Sequence, residues 1–198
     1  MFVTFEGLDG AGKTTQVELL RERLEHEGRE VVATREPGGT ELGERIRELL
    51  LGGVPVAPWA EATLFAASRA QHVAEVIGPA LERGAVVLCD RFVDSSLVYQ
   101  GAARGLGVEA VLELNLRATG GLLPDRTFLL HVPVATAAAR LGDRLDRIEA
   151  GGVALLEQVD AAYHSLAAAH PERIVELDGT LPAAELAERI HGALRTRA

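Results

Sequence analysis

The sequence predicts an α/β protein, a doubly wound parallel five-stranded sheet flanked by helices. Three observations lead there. Five short runs, 2–6, 31–34, 85–89, 127–132 and 174–177, are mostly continuous stretches of valine, leucine, isoleucine and phenylalanine. Such runs suit strands buried on both faces of a parallel sheet. Longer amphipathic stretches separate them, the pattern of βαβ units with right-handed crossovers. No internal repeat, low-complexity tract or linker interrupts the 198 residues, so one domain spanning 1–198 is expected.

The helices are expected at 14–27, 40–51, 60–83, 108–119, 135–169 and 182–195. In the first of them Val17, Leu20 and Leu24 share one stripe. The segment 51–58, with two glycines and two prolines, reads as a loop. Hydrophobic residues make up 47% and aromatics only 4%, so the core must be built from alanine, leucine and valine. A formal charge of −9 excludes the broad basic face that duplex nucleic acid requires. It leaves room for a small anionic ligand, since a few arginines can make a local positive pocket. A lone cysteine, Cys89, allows no intrachain disulfide, and no apolar run approaches the roughly 20 residues of a membrane span. A cytoplasmic location and no membrane partner are expected.

Gly7-Leu8-Asp9-Gly10-Ala11-Gly12-Lys13-Thr14 follows the first strand and fits G-x-x-x-x-G-K-[ST] at every fixed position. Its glycines let backbone N–H groups turn inward around phosphate oxygens, and the next helix offers its N-terminus to the same anion. Lys13 is suited to the β- and γ-phosphates of ATP, and the Thr14 hydroxyl to Mg²⁺. Of 20 basic residues, 19 are arginine, and the single lysine stands inside this motif. A compact ammonium and a planar guanidinium are not interchangeable between phosphates. The expected architecture is therefore a P-loop NTPase fold. The motif alone leaves nucleotide switches, motor ATPases and small-molecule kinases open. A guanine-nucleotide switch is closed off, because its Asn-Lys-x-Asp base-reading motif would need a second lysine.

The third strand runs into Asp90-Arg91. A carboxylate at the carboxyl end of a buried strand is placed for a metal-bound water, and an adjacent guanidinium can fork onto a phosphate. Arg140, Arg144 and Arg147 recur at i, i+4 and i+7 and share one helical face ahead of Gly151-Gly152. A basic face beside a glycine hinge suits a mobile lid, about 140–152, that brings positive charge to a transferred phosphoryl group. The six histidines show no paired i, i+4 spacing and have no cysteine partner, so no histidine metal centre is expected.

Four separated segments, in order, resemble the thymidylate kinase family across essentially the whole chain. They are Phe5-Glu6-Gly7-Leu8-Asp9-Gly10, Arg35-Glu36-Pro37-Gly38-Gly39-Thr40, the 64–72 segment LFAASRAQH, and the 90–101 segment DRFVDSSLVYQG. Gly10 in the loop and Leu145-Asp146-Arg147-Ile148-Glu149 after it match the bacterial form, whose lid supplies the basic residue. A departure follows the lid, where Val159-Asp160-Ala161-Ala162-Tyr163 lacks the arginine often found ahead of the tyrosine.

The resemblance implies transfer of the γ-phosphate of ATP to dTMP, giving dTDP and ADP, by a cytoplasmic homodimer. It implies a donor site of Gly7, Leu8, Asp9, Gly10, Ala11, Gly12, Lys13, Thr14, Thr15 and Arg140, with Mg²⁺ held by Thr14, Asp9 and Asp90. Catalytic roles fall to Lys13, Arg91, Asp9, Arg144 and Arg147. The acceptor site comprises Asp9, Glu36, Pro37, Phe65, Arg69, Arg91, Ser95, Ser96, Tyr99 and Gln100. Within it Phe65 would stack on thymine, Arg69 bond its carbonyl edge, and Tyr99 crowd C2′ against ribose. Rival readings are a kinase of the same fold with another acceptor, and a nucleotide-binding regulatory module with none.

Overall fold

Strand β1 (Phe2–Glu6) is buried at every position and occupies the centre of the sheet. In the computed structural model, which describes residues 1–53, 55–141 and 152–195, the chain order is β1, α1 (Lys13–His26), β2 (Val31–Arg35), α2 (Glu41–Leu51), α3 (Pro58–His72), α4 (Gly78–Glu82), β3 (Val86–Asp90), α5 (Val93–Ser96), α6 (Val108–Thr119), β4 (Arg126–His131), α7 (Val134–Leu141), α8 (Val153–Ala169), β5 (Ile174–Asp178) and α9 (Ala183–Arg195). All five strands are parallel, in the order β2-β3-β1-β4-β5.

The strands begin and end within about a residue of the expected runs. β3 is apolar along Val86–Cys89, and β1 pairs with it Val3 to Leu88 and with β4 Phe5 to Phe128. β2 and β5, at the edges, are only partly covered. α1 lays Val17, Leu20 and Leu24 into the core, as its stripe requires. Thr40 caps α2, its hydroxyl accepting from the Gly43 N–H at 2.9 Å, and Pro58 starts α3 where a missing N–H costs nothing.

Three departures from the expected helices have local causes. The 60–83 stretch is continuous in direction but widens at Val73–Ile77, where the Gly78 N–H bonds back to Val73 O. Pro79 follows, and its lack of an N–H interrupts the ordinary ladder there. A helix absent from the sequence reading, α5, continues as widened turns through Leu97–Ala103. The 135–169 stretch divides into α7 and α8, with the intervening residues outside the described set.

Because the chain starts at the centre, runs to one edge and returns, the carboxyl ends of β1, β3 and β4 meet side by side. In an open parallel sheet that is where ligands bind. Glu6, Asp90 and His131 are the residues the three strands deliver there.

Candidate active site

The glycine-rich loop leaves β1 through Gly7 at φ +131°, and a Cβ there would lie 2.4 Å from Leu130 O. Only glycine fits so close to the neighbouring strand. The loop closes on Gly12, left-handed at φ 98°, directly ahead of α1. Unpaired N–H groups of the first helical turn are thus presented to the loop, with Thr14 and Thr15 exposed on that turn. Lys13 Nζ lies under the loop and donates to Gly7 O at 3.2 Å, Leu8 O at 3.0 Å and Asp9 Oδ1 at 3.2 Å. The Thr14 hydroxyl donates to Asp90 Oδ2 at 2.7 Å, joining the loop to the end of β3. Arg140 on α7 closes the other side, its Nη1 donating to Gly10 O at 3.0 Å. Arg144 and Arg147, expected beside it, lie outside the described residues.

Arg91 is the one non-glycine among the described residues with positive φ, at 70°. That conformation is strained for a side chain with a Cβ and persists only where its surroundings hold it. Its backbone N–H is tied to Phe5 O at 2.9 Å. The guanidinium reaches Asp9 Oδ1 at 2.6 Å, Ser95 Oγ at 2.9 Å and Tyr163 Oη at 3.2 Å, and stands 5.4 Å from the centre of the Tyr99 ring. Beneath it Glu6 is fully buried and accepts from the Phe92 N–H at 2.8 Å, Ser95 Oγ at 2.5 Å and Tyr163 Oη at 2.8 Å. Burial, then repulsion from Asp94, pushes the Glu6 carboxyl above its usual range, with Arg91 pulling the other way. Asp94 is in turn clamped by Arg173 through two contacts of 2.6 and 2.8 Å.

One cavity beside Arg91 is lined by Asp9, Glu36, Pro37, Phe65, Arg69, Arg91, Ser95, Ser96, Tyr99 and Gln100, together with Arg47 and Leu51. All ten residues expected around the acceptor therefore come together. Arg69 is 1% exposed and is held by Glu36 Oε2 at 2.7 Å, Ser96 Oγ at 3.1 Å, Phe92 O at 3.0 Å and Asn115 Oδ1. Four of its five N–H groups have partners among the described residues, and Arg69 lines the cavity. Glu36 also meets His72 Nδ1 at 3.0 Å, and its peptide bond to Pro37 is cis. Gln100 is turned by Glu61, 2.9 Å away. The Tyr99 hydroxyl is buried and makes no hydrogen bond among the described residues; burial lifts the phenol far above its ordinary value.

The set divides into a glycine-rich loop and a semi-apolar pocket, joined through Arg91, Asp9 and Lys13. A family model described as thymidylate kinase matches residues 5–190. The chain belongs to the thymidylate kinase family.

A thymidylate kinase of Bifidobacterium longum (strain DJO10A) is 54% identical over 185 residues, covering 91% of this chain and 90% of that one. One from Synechococcus sp. (strain JA-3-3Ab) is 50% identical over 199 residues, covering 100% and 96%. The crystal structure of thymidylate kinase from Ehrlichia chaffeensis superposes with a TM-score of 0.81 at 31% identity, covering 98% of both chains. As a thymidylate kinase, the chain is an ATP-dependent nucleoside monophosphate kinase that phosphorylates dTMP to dTDP.

Several contributors to the thymidylate kinase pocket were not legible in the sequence. Glu6, Asn115 and Tyr163 each depend on partners far along the chain, Tyr163 meeting Glu6 across 157 positions, whereas Arg47 donates to Pro37 O only ten positions away. The one local signal was a glutamate closing an otherwise largely apolar buried strand. One group of histidines was not anticipated from spacing. His131, Asp160 and His164 come together with ligand-capable atoms all within 4.8 Å of one another. Spacing between histidines could not reveal it, because the i, i+4 partner of His164 is an aspartate and His131 arrives from a different strand.

Proposed function

We propose that the loop holds the ATP phosphates while the cavity holds dTMP, with Arg91 at the seam between them. The observation that carries this assignment is the gathering of all ten acceptor candidates in one cavity whose floor, Arg91 and Asp9, also touches Lys13. Arg91 has the fork geometry to hold the acceptor phosphate in line with the donor. Its strained backbone and its contacts with Ser95 and Tyr163 fix the direction of that fork. Lys13 releases the loop carbonyls to meet the β- and γ-oxygens, and Arg140 steadies the loop from α7. Arg144 and Arg147 are the sequence's further candidates for the charge that spreads over the transferred group. Phe65 gives thymine an apolar face, the spare N–H of Arg69 meets its carbonyl edge, and Tyr99 fills the space a 2′-hydroxyl would need.

Thr14 and Asp90 supply two hard oxygens 2.7 Å apart beside the loop, a donor set that fits Mg²⁺ shared with phosphates. Asp9 carries a second carboxylate, here engaged by Lys13 and Arg91. When bound, Mg²⁺ would neutralise charge on the bridging phosphate oxygens. A homodimer is the assembly we favour; Leu42, Leu49 and Trp59 leave large apolar side chains exposed on α2 and α3. No helix among the described residues is long and apolar enough to cross a membrane, and we assign the enzyme to the cytoplasm.

The direct test is ADP release with ATP and Mg²⁺ against dTMP, dUMP, UMP, CMP, AMP and GMP. Strong preference for dTMP is expected. Preference for another monophosphate would overturn the acceptor roles, and hydrolysis indifferent to all six would overturn the two-site reading.

A further inference from the structure

Away from the phosphate loop, a second group of chemically capable side chains forms where α8 crosses the ends of β4 and β5. His131 closes β4, Asp160 and His164 stand one turn apart on α8, and Glu176 lies on β5. His131 Nδ1 is 3.2 Å from Asp160 Oδ1, and His164 Nε2 is 3.8 Å from Asp160 Oδ2. The two imidazole rings are 4.5 Å apart and tilted 58°. On its far side His164 Nδ1 meets Glu176 Oε1 at 2.7 Å.

That last contact settles what the near side offers. A carboxylate oxygen only accepts, so the short bond puts the proton on Nδ1 of His164. In the neutral ring Nε2 is then a lone pair. It faces a carboxylate oxygen, which is also an acceptor. With the ring neutral, two acceptors face each other across 3.8 Å, a gap that a cation would bridge. Asp178, at the end of β5, adds negative charge near His131. A histidine that donates its outer N–H to a carboxylate while presenting the other nitrogen is the arrangement that orients metal-bound imidazoles.

We infer that His131, Asp160 and His164 form a site for a divalent transition metal, Zn²⁺ by ligand preference, with Glu176 orienting His164. Two imidazole nitrogens and one carboxylate oxygen are a zinc donor set with one position left for water. Metal–ligand distances of about 2.0–2.1 Å place tetrahedral ligands about 3.3 Å apart. His131 Nδ1 to Asp160 Oδ1 at 3.2 Å and His164 Nε2 to Asp160 Oδ2 at 3.8 Å lie near that value, and one ligand atom from each of the three residues falls within 4.8 Å of the other two. Mg²⁺, which requires oxygen ligands, is the wrong ion here. The site therefore differs from the one at Thr14 and Asp90.

Its effect follows from where it lies. An ion here ties α8 to the end of β4. Tyr163, the residue next to His164, reaches from the same helix to Glu6, Ser95 and Arg91. Occupancy of the site holds that tyrosine, and with it the Arg91 fork, in register with the sheet.

The test uses the full chain without a histidine tag, stripped with a chelator and titrated with Co²⁺ as a spectroscopic probe. One equivalent should bind with the visible absorption of a low-coordinate nitrogen–oxygen site, be displaced by Zn²⁺ and survive excess Mg²⁺. At 100 times its Kd, Zn²⁺ should raise the thermal midpoint by about 5–10 °C. His131→Ala, Asp160→Ala and His164→Ala should each weaken binding at least tenfold while leaving the metal-free midpoint within a few degrees. Glu176→Gln should weaken it about tenfold with all three ligands intact. Absence of a saturable Co²⁺ spectrum would overturn the site and leave a cluster bridged by protons alone. A spectrum unchanged in the ligand variants would place the ion elsewhere and overturn it equally. Neither readout depends on kinase activity, so failure here leaves the assignment of the two nucleotide pockets untouched.

Discussion

Replacing Asn115 with alanine removes a residue that touches neither proposed nucleotide position yet should change how the acceptor binds. Asn115 is fully buried on α6, accepts from Arg69 Nη1, and donates its own Nδ2 to Val111 O at 2.7 Å. Alanine leaves a buried guanidinium N–H without that acceptor. A hydrogen bond to a charged group contributes about 1.5–3 kcal/mol, and the lost Asn115 donor returns Val111 O to an ordinary helical carbonyl at little cost. The fold should lose about 2 kcal/mol, a fall of about 4–8 °C in Tm for a chain of this size. Arg69 keeps Glu36, Ser96 and Phe92 O, so it stays in place but is free to swing toward Glu36. Its spare N–H then points away from the cavity. The KM for dTMP should rise about tenfold while the KM for ATP and most of kcat are retained. Steady-state ADP release with each substrate varied, beside a melting curve, reads both. An unchanged Tm would refute the buried hydrogen bond. A lowered Tm with an unchanged dTMP KM would refute the claim that Arg69 is aimed by Asn115.

Lys13→Ala should lower kcat by at least about 10³-fold, with far-ultraviolet circular dichroism unchanged; appreciable turnover would remove Lys13 from the donor site. Tyr99→Ala should relax discrimination between dUMP and UMP about tenfold, and an unchanged ratio would sink its role at C2′. Glu44 accepts the Gly39 N–H at 2.9 Å and lies beside Arg35, and both hold its carboxyl below the ordinary 4.5. Its stabilising effect is therefore complete above about pH 4.5 and fades as pH falls through the lowered value. A Tm profile from neutral to acid pH should show Glu44→Gln less stable near neutrality and converging with the parent chain at the acid end; parallel profiles would count against the linkage.

What could be read from the sequence was what depends on near neighbours. The strands are legible because a run such as Val86–Cys89, covered on both faces, needs no partner's identity to be recognised. The glycine-rich loop is legible because its glycines sit at fixed spacings that one backbone shape demands. α5 was hidden because Asp94, Ser95 and Ser96 resemble turn residues. Only the structure reveals that Arg173, 79 positions away, clamps Asp94 and that Glu6 gathers Ser95. The Val73–Ile77 widening could have been suspected from Gly78-Pro79, but its position in the ladder could not. The lining of the cavity beside Arg91 could be anticipated through resemblance to a family rather than through periodicity, and its supporting members Glu6, Asn115 and Tyr163 belong to long-range contacts that no spacing rule encodes. The His131–Asp160–His164 cluster lies in the same blind spot.

Asp9 ties Lys13 and Arg91 to one carboxylate at 3.2 and 2.6 Å. In the language of ion exchange, these cations are already supplied with a counter-ion tethered to the chain. A single small anion such as sulfate or chloride must compete with that tethered carboxylate for one cation at a time and gains little. On the proposed assignment, a pair of nucleotides whose phosphates take Lys13 and Arg91 together would displace it once for both. The loop would thereby be less open to the abundant inorganic anions around it, with the selectivity residing in a residue of the same sign as the ligand.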